Sequence, residues 1–86
     1  MNNFVLTSDI DGWSLVGRCL QCLDPATGND ATIFTSGGGA VILAFGDRRN
    51  TKQPIALATA IVTLVAEGFP RPPQVLLKQF AALVNQ

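Results

Sequence analysis

Residues 51–69 read TKQPIALATAIVTLVAEGF, and they separate a strand-like first half of the chain from a helical second half. The pattern predicts an α-helix over residues 54–67, because proline is tolerated in a first turn and its missing N–H has no partner there anyway. Asn50 or Thr51 is expected to cap the start of this helix. Gly68 stands where a left-handed residue commonly ends a helix.

The surface of this predicted helix is unusually poor in charge. Large apolar residues fill about half of its circumference, and small side chains form the other strip, with Glu67 as its only charged residue. We therefore expect the helix to be covered on more than one side, by its own domain or by a second copy. Ala56, Ala60 and Thr63 are predicted interface residues on that strip.

Two hydrophobic segments joined by Asp11-Gly12 predict a β-hairpin of residues 3–10 and 13–22, because this residue pair favours a two-residue turn. In the register that such a turn implies, Leu6 faces Gly17. The side chains then sort into a mostly polar side and a mostly apolar side. The apolar side consists of Phe4, Leu6, Ile10, Trp13, Leu15 and Cys19. The alternative is a helix over residues 8–23, whose apolar residues also share one stripe.

Two further strands are predicted at residues 31–36 and 40–46, with the glycines 37–39 as the turn between them. Both sides of the second of these strands are apolar. Such a strand is typically covered on both faces or lies at an interface. Val41, Leu43 and Phe45 are therefore also predicted interface residues.

The chain ends in an amphipathic pattern that predicts a second helix over residues 73–84. With the preceding segments it gives a single α+β domain over residues 1–86. The predicted architecture is a four-stranded antiparallel β-meander followed by a C-terminal αα-hairpin packed on one sheet face.

Composition limits the function classes. Hydrophobic residues make up 48% of the chain and charged residues only 14%, against a usual charged share of about 25%. The formal net charge is zero, which favours self-association or a permanent partner over attraction to polyanions. The uncharged run 53–66 is too short for a membrane span, which needs about 20 residues. With no histidine and no tyrosine, we expect no enzyme, no cofactor and no small-molecule substrate.

Cys19 and Cys22 form a CxxC pair. Residues i and i+3 of a strand point to opposite faces, so we expect ordinary small core residues. A redox pair, or a metal shared between two copies, is the weaker alternative, since zinc needs four ligands and the chain holds no other cysteine or histidine. The N-terminal residues lack the basic and apolar regions of a signal peptide, which together with reduced thiols favours the cytoplasm.

Residues 47–52 form the only positive cluster, and it precedes the predicted central helix. Positive charge is unfavourable beside the N-terminus of a helix, where the helix dipole is itself positive. A cluster at this position therefore indicates that it binds phosphate or an acidic partner. Arg48, Arg49 and Lys52 are the candidate nucleic-acid or anion-binding residues, acting in a dimer that doubles the patch. The alternative is a soluble loop in which Asp47 pairs locally.

The leading functional hypothesis is a small non-enzymatic protein-interaction module. It would be a homodimer or higher homo-oligomer, or an accessory subunit of a larger assembly, with another copy or a second protein as its partner. Nucleic-acid binding through the basic loop is the second hypothesis. Thiol redox or inter-subunit metal chemistry through the CxxC pair is the third.

Overall fold

A computed structural model describes residues 5–7, 12–24, 26–47 and 49–86. Within these residues, five strands form one antiparallel sheet in chain order, so every strand pairs with its neighbours in sequence. Two helices follow the sheet. The elements are β1 Val5–Thr7, β2 Trp13–Val16, β3 Cys19–Leu23, β4 Asp30–Gly37, β5 Ala40–Phe45, α1 Leu57–Ala66 and α2 Gln74–Val84.

The predicted α+β class, antiparallel meander and pair of C-terminal helices are confirmed. The sheet has five strands instead of four, because residues 13–22 do not form one strand. The chain reverses at Gly17 and Arg18, and Val16 pairs with Cys19 across this two-residue turn. Gly17 has a φ of 61°, a left-handed conformation that glycine adopts without the steric cost that a Cβ brings.

The register of the first hairpin also differs from the prediction, since Leu6 pairs with Leu15 and not with Gly17. A shift of two residues preserves the alternation of faces, so Trp13 and Leu15 still face the core. Cys19 does not, because the turn at residues 17–18 places it on the opposite face, beside Val16.

The alternative helix and the predicted turn at Asp11-Gly12 can be compared with the structure only at the described residues. The alternative helix over residues 8–23 is wrong for residues 13–16 and 19–23, which are strands. The predicted turn residue Asp11, with Phe4 and Ile10, lies outside the described residues.

One face of the sheet and both helices enclose the core. Helix α2 lies over β2, β3 and β4, while α1 lies against β5. Each large apolar side chain that is fully buried here stabilises the fold by about 1.5–3 kcal/mol. The core consists of Trp13, Leu15, Leu20, Cys22, Ala31, Ile33, Val41, Leu43, Ala60, Leu64, Phe69, Leu76, Phe80 and Val84.

Helix α1 begins three residues later than predicted, because the chain before it pairs with β5. Ile55 exchanges backbone hydrogen bonds with Val41, and Asn50 forms a bridge to Ala44. These contacts provide hydrogen-bond partners for backbone N–H and C=O groups of the edge strand β5. The predicted cap residue Thr51 is used at this edge, where its hydroxyl accepts a hydrogen bond from the backbone N–H of Leu43 at 3.0 Å.

Trp13 connects the sheet to the corner between the two helices. Its side chain has no exposed surface. The indole Nε1–H donates a hydrogen bond to the carbonyl oxygen of Pro70 at 3.0 Å, across 57 residues of sequence. The indole therefore fills the centre of the core and also satisfies a backbone carbonyl in the proline-rich connection.

Replacement of Gly17 by L-alanine should destabilise the protein by about 1–2 kcal/mol, the cost of a left-handed conformation for an L-residue. Among the described residues, no other group lies near the position that the new Cβ would occupy, so the loss would come from the backbone alone. Urea unfolding would measure it. A synthetic chain with D-alanine at this position is the matched control and should keep wild-type stability. Equal losses for both enantiomers would contradict the turn geometry.

Trp13→Phe should lower the free energy of unfolding by about 2–3 kcal/mol, because it leaves a cavity and removes the partner of the Pro70 carbonyl. Thermal and urea unfolding followed by circular dichroism would measure this loss. Leu23→Ala is the control, since Leu23 is 59% exposed and its truncation should cost little. Similar losses for the two variants would show that the indole is not central to the core.

Candidate interaction surface

The outer face of the sheet, opposite the helices, carries two rows of side chains that run across four strands. Pairing of Val16 with Cys19, Cys19 with Phe34 and Phe34 with Ile42 gives the apolar row. We call these four residues the outer row. A second row, the polar row, consists of Ser14, Gln21, Thr32 and Ala44.

Neither row contains a charged side chain. Val16 is 39% exposed and the other three residues of the outer row are half-buried. Protein surfaces normally carry about 25–35% charged residues of both signs. Both helices pack on the opposite face of the sheet, so the described part of the chain leaves these rows open. Within the described residues, the two rows therefore form a neutral, partly apolar surface without a cover.

A second, narrower apolar surface lies on the side of α1 that faces away from the sheet. Val62 is 68% exposed and Val65 is 43% exposed, and Ala58 lies one turn before Val62 on the same stripe. Helix α1 has no charged residue along its length. This α1 stripe is the main rival to the outer row as a contact surface.

The six predicted interface residues do not form one surface. Val41, Leu43 and Ala60 have no exposed area, because the chain's own helices and sheet cover them. They are therefore not available to a second folded copy, and for these three the structure corrects the prediction. The apolar pattern correctly predicts that these three positions are buried, but they are buried within one chain.

The other three predicted interface residues are partly accessible. Phe45 packs against Phe69, with 5.8 Å between ring centroids. Ala56 is exposed at the start of α1, and Thr63 is half-buried, with its hydroxyl donating to the Thr59 carbonyl at 2.8 Å. The interface role of these three residues stays a prediction.

The basic loop is partly neutralised. Arg48 lies outside the described residues. The Nε of Arg49 contacts Asp47 at 2.7 Å and its terminal nitrogen contacts Glu67 at 3.0 Å. The guanidinium also lies over the Phe45 ring, 4.6 Å from its centroid. Lys52 is exposed, so of the described cations in this loop only Lys52 is left outside this ion-pair network.

Electrostatics in this loop follow from the same contacts. The pKa of Asp47 lies below its ordinary value of 3.8, chiefly because the backbone N–H of Arg49 donates to the carboxylate, with a further contribution from the guanidinium. The carboxylates of Glu67 and Asp47 raise the pKa of Arg49. Arg49 therefore connects the loop to the end of α1, and two carboxylates of the same chain offset its positive charge.

A cleft of about 400 Å³ lies beside this network, between the β4–β5 end of the sheet and the end of α1. Its lining includes Asp30, Asp47 and Glu67 as well as Arg49 and Phe45. Among the described residues, no group of three or more His, Cys, Asp or Glu side chains is placed to hold a metal ion. The cleft is therefore lined in part by the ion-paired side chains of this network.

The two cysteines face opposite sides of the sheet, as the strand interpretation predicts. Cys22 is buried in the core, and Cys19 is half-buried in the outer row. The two thiols of one chain therefore do not converge on a common point. This arrangement gives no support to a CxxC redox pair or to a metal shared by four sulfurs.

No protein-family model matches this chain, and no match was found among curated proteins or solved structures. Within the described residues, neither helix has the length and apolar character needed to cross a membrane. The function is therefore inferred from the surfaces themselves.

Asp47→Asn should lower stability at about pH 7, and the deficit should disappear as the pH falls below 3.8. The folded-state pKa is depressed, so the ionised carboxylate stabilises the fold above the unfolded pKa and ceases to do so as it is protonated. Urea unfolding of both proteins from about pH 7 to about pH 2.5 would measure the difference, which is small because the pair is exposed.

High salt is the control for this pH experiment, since screening should reduce the deficit at neutral pH. A deficit that is unchanged in acid would show that the substitution acts through packing and not through the charge of Asp47.

Proposed function

We propose that this protein is a non-enzymatic protein-interaction module and that the outer row is its binding surface. The observation that carries the proposal is that the outer row is apolar across four strands, with the uncharged polar row beside it and both helices on the other face of the sheet. Contiguous exposed apolar surface of this kind typically marks a contact site.

The chemistry of the outer row suits protein contacts. Val16 and Ile42 are β-branched and therefore stiff about χ1, and Phe34 has only two side-chain torsions. Side chains of this kind lose little conformational entropy when a partner orders them, so more of the free energy from apolar burial remains for binding. Their placement on a sheet rather than on a loop fixes their spacing before contact.

The alternative functions have weaker support. In the basic loop, Arg49 is already bound by two carboxylates, which removes part of the excess charge that binding to nucleic acid requires. The CxxC thiols point apart.

We also propose a cytoplasmic location, because Cys19 presents a thiol on the open face without a disulfide, which suits a reducing compartment.

Site-specific photo-crosslinking in the source cells tests this function. A photoreactive phenylalanine analogue would replace Phe34 in the outer row, and matched chains would carry it at Val62 on the α1 stripe and at Lys78 on the exposed side of α2. We expect discrete protein adducts from position 34 above the background from position 78, with mass spectrometry identifying the attached chain.

The controls separate the outcomes of this crosslinking. Adducts from position 34 at the level of position 78 would overturn the proposed function of the outer row. Adducts from position 62 alone would do the same and would assign the contact to the α1 stripe.

A further inference from the structure

We propose that the partner of the outer row is a second copy of this chain, packed sheet against sheet about a two-fold axis. This proposal rests on the proposed function and names its partner. In this dimer the outer rows of the two copies face each other, which buries Cys19 and Phe34 at the centre of the contact.

The neutrality of the surface favours a second copy. A two-fold dimer places the same patch on both sides of the contact, so any charge on the patch would meet a like charge nearby. The outer row and the polar row contain none. A surface built for a charged partner would carry complementary charge, and this one has no such charge to offer.

The geometry of the rows is self-complementary. A two-fold axis that lies in the plane of the interface and along the outer row brings that row onto its own copy. Stacked sheets lie about 10 Å apart, with their strands within about 30° of each other. Apolar side chains then meet apolar side chains, while the polar row lies beside the contact, where water can reach it.

The size of the face determines how strong this contact is. The five strands are three to eight residues long, so spacings of about 4.8 Å between strands and about 3.3 Å between residues give a face of about 400 Å² per copy. Two copies bury about 800 Å² when the whole face is covered, which is the size of a weak, transient contact and well below the usual 1,600 Å². We therefore expect a dimer that dissociates on dilution, and not a permanent one.

The α1 stripe is too small to compete. A helix of ten residues is about 15 Å long and about 10 Å across, so its outward face covers about one third of the area of the sheet face. Val62 on this stripe is more exposed than Val16 on the sheet. It is therefore a stringent control position for substitutions in the outer row.

Cys19 provides a natural reporter of the contact. Its half-buried thiol lies between Val16 and Phe34 in the outer row, whereas Cys22 is 1% exposed in the core. Formation of the dimer should cover Cys19 and leave the environment of Cys22 unchanged. The rate of Cys19 modification by a thiol reagent should therefore fall as protein concentration rises.

Sedimentation equilibrium across a wide concentration range, with reductant present, tests the dimer directly. Wild-type protein should move from monomer to dimer as concentration increases. Phe34→Lys and Val16→Lys should each weaken the dimer by about tenfold or more, because both place like charges on the two-fold contact. Val62→Lys adds the same charge outside the contact and should leave the equilibrium unchanged.

Folding of the variants is checked by circular dichroism. Val16→Lys keeps the test decisive if Phe34→Lys fails to fold, because Val16 is 39% exposed on its strand. Cys19 reactivity in the wild-type chain needs no substitution at all.

The results separate this proposal from the proposed function. A wild-type monomer at all concentrations, with constant Cys19 reactivity, overturns the dimer. So does a dimer that Val62→Lys dissociates and Val16→Lys does not. In either case, crosslinks from position 34 to a different protein would leave the interaction function standing, whereas their absence would remove both.

Discussion

The buried indole of Trp13 is the contact on which the relation between sheet and helices depends. It lies on β2, with no exposed surface, and its N–H is held by the Pro70 carbonyl in the connection between α1 and α2. An aromatic side chain of this size fixes which face of the sheet is covered, because only that face accommodates it. Arg18 supports the same arrangement from the other end of β2. Its guanidinium donates to the Leu83 carbonyl in the last turn of α2 and to the side-chain oxygen of Gln86, which follows the helix.

Once one face is committed to the helices, the opposite face is left to solvent or to a partner. Small domains have few residues with which to cover two faces of a sheet, and this chain directs both helices to one. Many open sheets carry charges on their solvent face. Here the outer row and the polar row contain only apolar or uncharged polar side chains. The few charged residues of the chain are therefore absent from these two rows, which form a neutral surface on the sheet.

Local patterns predicted the type of most elements correctly. The glycines at 37–39, the amphipathic spacing of 73–84 and the position of Gly68 after α1 each correspond to a structural feature, with Gly68 at a φ of 98°. The turn at residues 17–18 was missed, because Gly17 lies within a strand-like segment and no second typical turn residue stands beside it. That omission placed Cys19 on the wrong face and concealed the outer row.

The predicted interface failed in part for a different reason. An apolar side chain shows that a position needs cover, but not whether the cover comes from the same chain. Val41, Leu43 and Ala60 are covered internally, and only the three-dimensional arrangement distinguishes them from Phe34 and Ile42. Sequence-adjacent strand pairing also has a kinetic consequence. The meander can assemble by local zipping of hairpins, whereas the Trp13–Pro70 contact closes a loop of 57 residues. Fluorescence from this single tryptophan therefore records the docking of the helices rather than the growth of the sheet.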